Sequence, residues 1–397
     1  MRDFDIVVFG ATGFTGKLVA QYLARVGQDR WAIAGRNPDK LQAVLDSLTT
    51  STPPEILVAD ANDGNALHEV ASRTAVVLTT VGPYAKYGDK LVEACAAQGT
   101  HYCDLTGEVQ WMRRTIDAYH EKAQQSGARI VHTCGFDSIP SDLGTLEVQR
   151  VFLEREGHYA EEVGCFVMYA SGGFSGGTVA SMVNLMEEAA DKSVRKIVAH
   201  PYALNPTDDK EGADTWDSFA PTYDDLVDAW TAPFLMSSVN TRVVRRSHAL
   251  LGHPWGPKFR YREVMSMGKG LKGRAKALAV SAALGAAVAT LSAEPTRKLA
   301  QKTILPEPGE GPSQAQIASG GFLMRVIGRR HGTTHAVDVK ASLDPGYGAT
   351  AIMLCESARC LAYDDLDTPC GVLTPAVAMG ESLVSRLNAS GVSFTVR

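Results

Sequence analysis

Cysteine is sparse in this 397-residue chain: seven residues, an odd number, scattered along its length. There is no Cys-x-x-Cys pair and no Cys/His group at metal-ligand spacing, which argues against a disulfide-stapled scaffold and against zinc. His331 and His335 stand four apart, but Gly332 and β-branched neighbours make that stretch a turn between strands, not the helix a zinc pair needs. No metal is expected. An excess of positive charge is also missing. The net charge is -5 and no nucleic-acid motif occurs, so nucleic acid is not an expected partner. The opening residues, Met1 to Asp5, lack the apolar stretch of a signal peptide, and a cytoplasmic location is expected.

The composition that remains is that of a globular protein, and the length suits two domains. The stretch with most information comes first. Ile6-Val7-Val8-Phe9 is a short apolar run that stops at Gly10. Gly13 and Gly16 follow at three-residue steps, and then a helical pattern begins. This is the strand–turn–helix setting of a dinucleotide-binding fingerprint. Gly10 lets the chain turn, Gly13 lets the backbone approach a pyrophosphate, and Gly16 lets the helix lie close to the sheet. Bare amides around Thr12, Phe14 and Thr15, with the helix dipole, would hold the phosphates. The second strand ends in Gly35-Arg36-Asn37 with no acid where an NAD site carries one. Arg36 is read as the clamp for the 2′-phosphate of NADP(H), with Asn37 and Lys40 in support. A solvated arginine at a strand end is the plainer alternative.

Strands and helices alternate through the first part of the chain, the pattern of a parallel sheet. Asp60, after the third strand, is expected near the adenine edge. The fourth strand ends in Val81-Gly82-Pro83-Tyr84. Val81, Gly82 and Pro83 should border the ribose–nicotinamide half of the cofactor, with Tyr84 beside the reacting ring. Asp104, Glu108 and Asp137 fall in turns after later strands, where open α/β sheets bind ligands. Each can serve instead in helix capping. Beyond about 140 a second glycine-rich turn, Gly172-Gly173-Phe174-Ser175-Gly176-Gly177-Thr178, opens a helix whose amides could meet an anionic or carbonyl oxygen. Gly321–Arg329 and Thr333–Leu343 read as an antiparallel hairpin. The expected architecture is a Rossmann-type doubly wound parallel sheet over 1–140, completed by about 346–397 packing back. A second α+β domain with a mixed or antiparallel sheet is expected over 141–345.

An apolar, alanine-rich helix is expected at 275–292, preceded by Lys269, Lys272, Arg274 and Lys276. It falls short of the roughly 20 apolar residues of a membrane span. Internal packing, a homodimer face and contact of 269–292 with a membrane surface or an acyl substrate stay open. The last would make the protein peripheral on the inner face of the cell membrane.

Taken together, Gly10-Ala-Thr-Gly13-Phe-Thr-Gly16, Ala34-Gly35-Arg36, Val81-Gly82-Pro83-Tyr84, Tyr102-Cys-Asp104-Leu-Thr-Gly-Glu108, Gly135-Phe-Asp137-Ser-Ile-Pro-Ser-Asp142, Ser175-Gly-Gly-Thr178 and Leu373-Thr-Pro-Ala376 resemble the saccharopine dehydrogenase-like oxidoreductases. Within that family the likeness is greatest to the actinobacterial trans-acting enoyl reductases. The resemblance implies NADPH-dependent reduction of a thioester-conjugated double bond on an acyl or polyketide chain, carrier-bound, in cell-envelope lipid synthesis. Tyr84, Asp104 and Asp137 are then the candidate catalytic residues, Tyr84 as proton donor or oxyanion partner. Glu108, Ser175, Gly176, Gly177 and Thr178 are candidates for binding substrate. Two other readings remain: an imine or ketone reductase of a small metabolite, and a non-catalytic, lipid-associated NADP-binding protein. No cluster of Arg and Lys suited to the carboxylates of saccharopine is seen.

Overall fold

The computed structural model describes residues 2–27, 29–171, 176–215, 217, 220–292, 294–303 and 312–397. Fourteen strands form two sheets among the described residues. In chain order they are β1 (Phe4–Phe9), β2 (Trp31–Gly35), β3 (Glu55–Val58), β4 (Thr74–Thr79), β5 (His101–Cys103), β6 (Arg129–Val131), β7 (Glu162–Ser171), β8 (Thr222–Asp224), β9 (Ala229–Pro233), β10 (Arg260–Gly268), β11 (Gly321–Arg330), β12 (Thr333–Ala341), β13 (Gly371–Leu373) and β14 (Ser393–Val396).

The first sheet runs β13-β6-β5-β4-β1-β2-β3, all parallel. Its central strands carry apolar residues on both faces because crossover helices cover both sides. Ile6 and Val8 look into one core, Val7 and Phe9 into the other. The strand order reverses between β1 and β4, which opens a crevice at their carboxyl ends.

The second sheet runs β14-β12-β11-β7-β10-β9-β8 and is antiparallel except for the β7–β10 pair. The hairpin β11–β12 turns at His331 (φ 50°) and Gly332 (φ 84°), two left-handed residues that suit a tight turn between twisted strands. Val326 pairs with Val337 and Met324 with Val339, one buried face in register. Helix Ile139–Glu156 joins the two halves and lies on this hairpin. A side chain at Gly144 would come within 2.8 Å of Val326.

The chain beyond 346 is shared between the sheets. Helix Thr350–Tyr363 contributes Met353, Leu354 and Cys355 to the core under β1 and β4, and β13 extends the first sheet. The final strand does not follow them. Val337–Lys340 of β12 pairs with β14, so the chain ends in the second sheet.

Candidate active site

Gly10 leaves β1 at φ 90°, its amide donating to the Ala34 carbonyl at 2.9 Å. The β4 end supports the turn, with the Thr80 hydroxyl donating to the Gly10 carbonyl at 3.2 Å. Helix Phe14–Val26 starts directly from Gly13, which no side chain caps. A side chain at Gly16 would run into the Gly10 carbonyl, so only glycine lets the helix lie this close. At Gly13 the space a Cβ would take is open apart from the Gly10 oxygen at 3.4 Å. The first-turn amides therefore face an open cradle of the kind a pyrophosphate occupies. Thr12 and Thr15 are half-buried beside it. The Phe14 ring turns inward and meets Tyr347 edge-on at 4.8 Å, so this residue offers the cradle its backbone.

Arg36 ends β2 with its side chain exposed, and among the described residues no carboxylate lies within ion-pair distance of it. Asp60 stands across from it at the end of β3. Its carboxyl is held below the usual range by the Asn62 amide first, then by the Asn62 side chain and the charge of Arg36. Asn37 caps helix Pro38–Ser47, its side-chain oxygen accepting the Lys40 amide at 2.9 Å. Lys40 is exposed one turn along. An open amide cradle with an unpaired guanidinium at the adenosine end fits NADP(H).

At the other end of the crevice, Val81 packs beneath Gly10, Gly82 is exposed and Pro83 precedes the short helix Tyr84–Tyr87. Tyr84 does not stand in the crevice. It is 5% exposed and stacks on Trp111 at 5.6 Å. Its hydroxyl donates to the Thr79 carbonyl at 3.3 Å and accepts the Leu105 amide at 3.2 Å. Burial drives the phenol far above its ordinary range, so it is a poor proton donor and a core residue. Glu108 is buried too. Its carboxylate accepts the Tyr84 and Ala85 amides at 2.8 and 3.0 Å and the Ser181 hydroxyl at 2.8 Å. Burial raises its carboxyl against those three donors. Instead of meeting substrate, Glu108 ties the start of one helix to helix Gly176–Glu188. That helix thereby sits over the Gly82 turn, with the Ser181 hydroxyl 3.8 Å from where a Gly82 side chain would begin. Gly176, Gly177 and Thr178 form its first turn, and Ser175 lies outside the described residues.

Asp104 is fully buried and accepts four hydrogen bonds. Oδ2 takes the Tyr102 hydroxyl and the His132 ring, each at 2.8 Å, and Oδ1 takes the Thr106 and Thr133 amides at 3.0 and 3.2 Å. His132 in turn meets the Thr115 hydroxyl at 2.9 Å. This network fastens the ends of β5 and β6 together, and Asp104 has no face toward the crevice to do chemistry.

Asp137 is different. It lies half-buried in the turn after β6, where the first sheet meets the second, and neighbouring Phe136 packs on Phe322 of β11 at 4.9 Å. Its Oδ1 is buried without a hydrogen-bond partner among the described residues. Burial, with the charge of Glu263, pushes its carboxyl up to about 7. Glu263, on β10, is itself pushed up to about 7 by burial, against donors from Asn240 at 2.7 Å and Tyr261 at 2.9 Å. Sequence reasoning missed Glu263. The available signal was a lone acid two residues from Tyr261 on the inward face of an alternating strand. Asp142, one turn into the next helix, is structural: it accepts the Ser247 hydroxyl and the Ala376 amide.

Residues 6–131 match the saccharopine dehydrogenase NADP-binding domain family. The chain is 42% identical over 413 aligned residues to a provisionally named trans-acting enoyl reductase of Mycobacterium tuberculosis, covering 99% of this chain and 97% of that one. It is 40% identical to the trans-acting enoyl reductase of Mycobacterium ulcerans, covering 98% and 97%. Among solved structures, apo saccharopine dehydrogenase (L-Glu forming) from Saccharomyces cerevisiae superposes with a TM-score of 0.54 over 99% of this chain and 100% of that one, at 11% identity, a likeness of fold. An NADP-binding domain on the first sheet and near-full-length identity at this level leave one assignment: the chain belongs to the saccharopine dehydrogenase-like oxidoreductases, in the branch of the trans-acting enoyl reductases.

Proposed function

We propose that the protein is an NADPH-dependent enoyl reductase acting in trans on a double bond conjugated to the thioester of an acyl or polyketide chain. The observation that carries this reading is the cradle at Gly13 with Arg36 unpaired at its adenosine end, in a chain that is 40% identical to a named trans-acting enoyl reductase. Bound NADPH supplies the hydride that reduces the alkene. The remaining tasks belong to the protein. Bare amides before Phe14–Val26 hold the diphosphate and Arg36 holds the 2′-phosphate. Charge developing on the thioester oxygen needs donors, and the first turn of Gly176–Glu188, seated over Gly82, offers backbone N–H groups for it. The α-carbon needs a proton. Asp137 stands in the turn where the two sheets meet, with Oδ1 buried and unpartnered among the described residues and its carboxyl raised by burial, and it is the proton donor we assign.

NADPH oxidation followed by the loss of nicotinamide absorbance tests the reading. An α,β-unsaturated acyl thioester should support turnover, and a free keto acid with an amine should not. Turnover with the second pair alone would assign the site to imine reduction instead.

A further inference from the structure

Helix Gly270–Ser292 is 23 residues long, yet only Gly273 and Ala277 in it are buried. Its composition is as apolar as that of a membrane helix, yet only 6% of its most apolar stretch is covered by the rest of the chain. A core helix of that composition would be hidden. Leu271 is 83% exposed and Leu278 51%, and Leu299 on the next helix, Glu294–Thr303, is 63% exposed. Lys269, Lys272, Arg274 and Lys276 are all exposed at the start of the helix. No acid occurs between 269 and 293, in a chain whose net charge is -5.

We propose that this helix docks the protein on an anionic lipid bilayer, lying in the headgroup region with its bare flank toward the acyl chains. Charge complementarity selects the occupant. Lys269 is paired with Asp228, and the exposed leucines beside the three other cations, Lys272, Arg274 and Lys276, match an interface where phosphate headgroups border hydrocarbon. A second copy of the chain would cover the apolar flank but brings no acidic cluster on this helix to meet the cations. Two observations make the helix monotopic. Its uncharged stretch, 277–292, spans about 24 Å at 1.5 Å per residue, less than the roughly 30 Å hydrocarbon layer. Both of its ends are also tied to the same body. Gly273 sits against the Gly268 carbonyl and Arg274 lies over Trp230 at 5.3 Å, while beyond the other end Arg297 donates to the Leu291 carbonyl at 3.1 Å and reaches Glu187 at 4.0 Å. Glu187 belongs to helix Gly176–Glu188. The attachment itself does not depend on the reaction assigned above.

Sedimentation of the full chain with vesicles tests this. The protein should pellet with vesicles of about 30% phosphatidylglycerol in phosphatidylcholine at about 0.1 M salt, with roughly tenfold weaker partition into pure phosphatidylcholine or at about 0.5 M salt. A Lys272→Gln/Lys276→Gln variant and a Leu271→Ser/Leu278→Ser variant should each lose roughly tenfold in partition at an unchanged thermal midpoint. A wild-type protein that stays in the supernatant, or variants that pellet as it does, would overturn the proposal. So would a dimer in light scattering that the leucine variant splits into monomers while vesicle binding is absent.

Discussion

Arg36 and Asp137 divide the chemistry of the crevice between recognition and proton supply. An exposed guanidinium with no carboxylate partner among the described residues keeps its donors available to a phosphate. Charge-assisted hydrogen bonds contribute about 1.5–3 kcal/mol. Arg36→Ala should therefore raise the Kd for NADPH roughly 10–100-fold and leave NADH unchanged, as read by nicotinamide fluorescence. Equal losses for both nucleotides would remove the clamp. Asp137 should show itself in a pH profile. Its carboxyl holds a proton below about 7, so kcat should fall as pH rises through that value. Asp137→Asn should lower kcat about 10²–10⁴-fold with KM little changed and abolish the high-pH limb. A variant retaining that limb would shift the role elsewhere. Tyr84, Asp104 and Glu108 teach the opposite lesson. Their spacing at strand ends is that of site residues, but which way each side chain points is set by partners far along the chain or on other elements, such as Trp111, His132 and Ser181. No local pattern carries that information.

Elements held by local chemistry are legible in the amino-acid sequence. The turn after β1 follows from three glycines, Gly10 at a left-handed φ, Gly16 against the Gly10 carbonyl and Gly13 leaving the cradle open, and the β11–β12 hairpin follows from alternation around His331-Gly332. Gly16→Ala tests the first of these. Its new methyl group would collide with the Gly10 carbonyl, and backbone has little room to yield. The urea midpoint should drop by the equivalent of about 1–3 kcal/mol and NADPH binding should be lost. Elements held by remote partners are not legible in this way. The stretch 392–396 alternates Val392, Phe394 and Val396 with polar residues, which predicts a strand but not its sheet. Its place beside β12 is decided by the path of the chain through helix Gly380–Ala389. Glu263 is hidden for the same reason, since its meaning depends on Asp137, far earlier in the chain.

At the scale of the molecule, three carboxyls, half-buried Asp137 and buried Asp142 and Glu263, are pushed up to about 7 by desolvation. A raised carboxyl stabilises the fold fully below its unfolded value, near about 4, and that contribution is lost as pH climbs to about 7. Asp142→Asn keeps an oxygen for the Ala376 amide and an amide for Ser247 but cannot ionise. Its melting midpoint should therefore fall less between about pH 4 and pH 7 than that of the wild type, as followed by calorimetry. Parallel curves would show that Asp142 does not titrate in this window.

The C-terminal stretch places β13 beside β6 in one sheet and β14 beside β12 in the other. The chain therefore crosses between the halves here as well as through helix Ile139–Glu156, and the segment 374–392 between the two ladders is where any rotation of one half against the other must be absorbed. Closer to the crevice, a side-chain bond from Ser181 to Glu108 latches helix Gly176–Glu188 over the Gly82 turn.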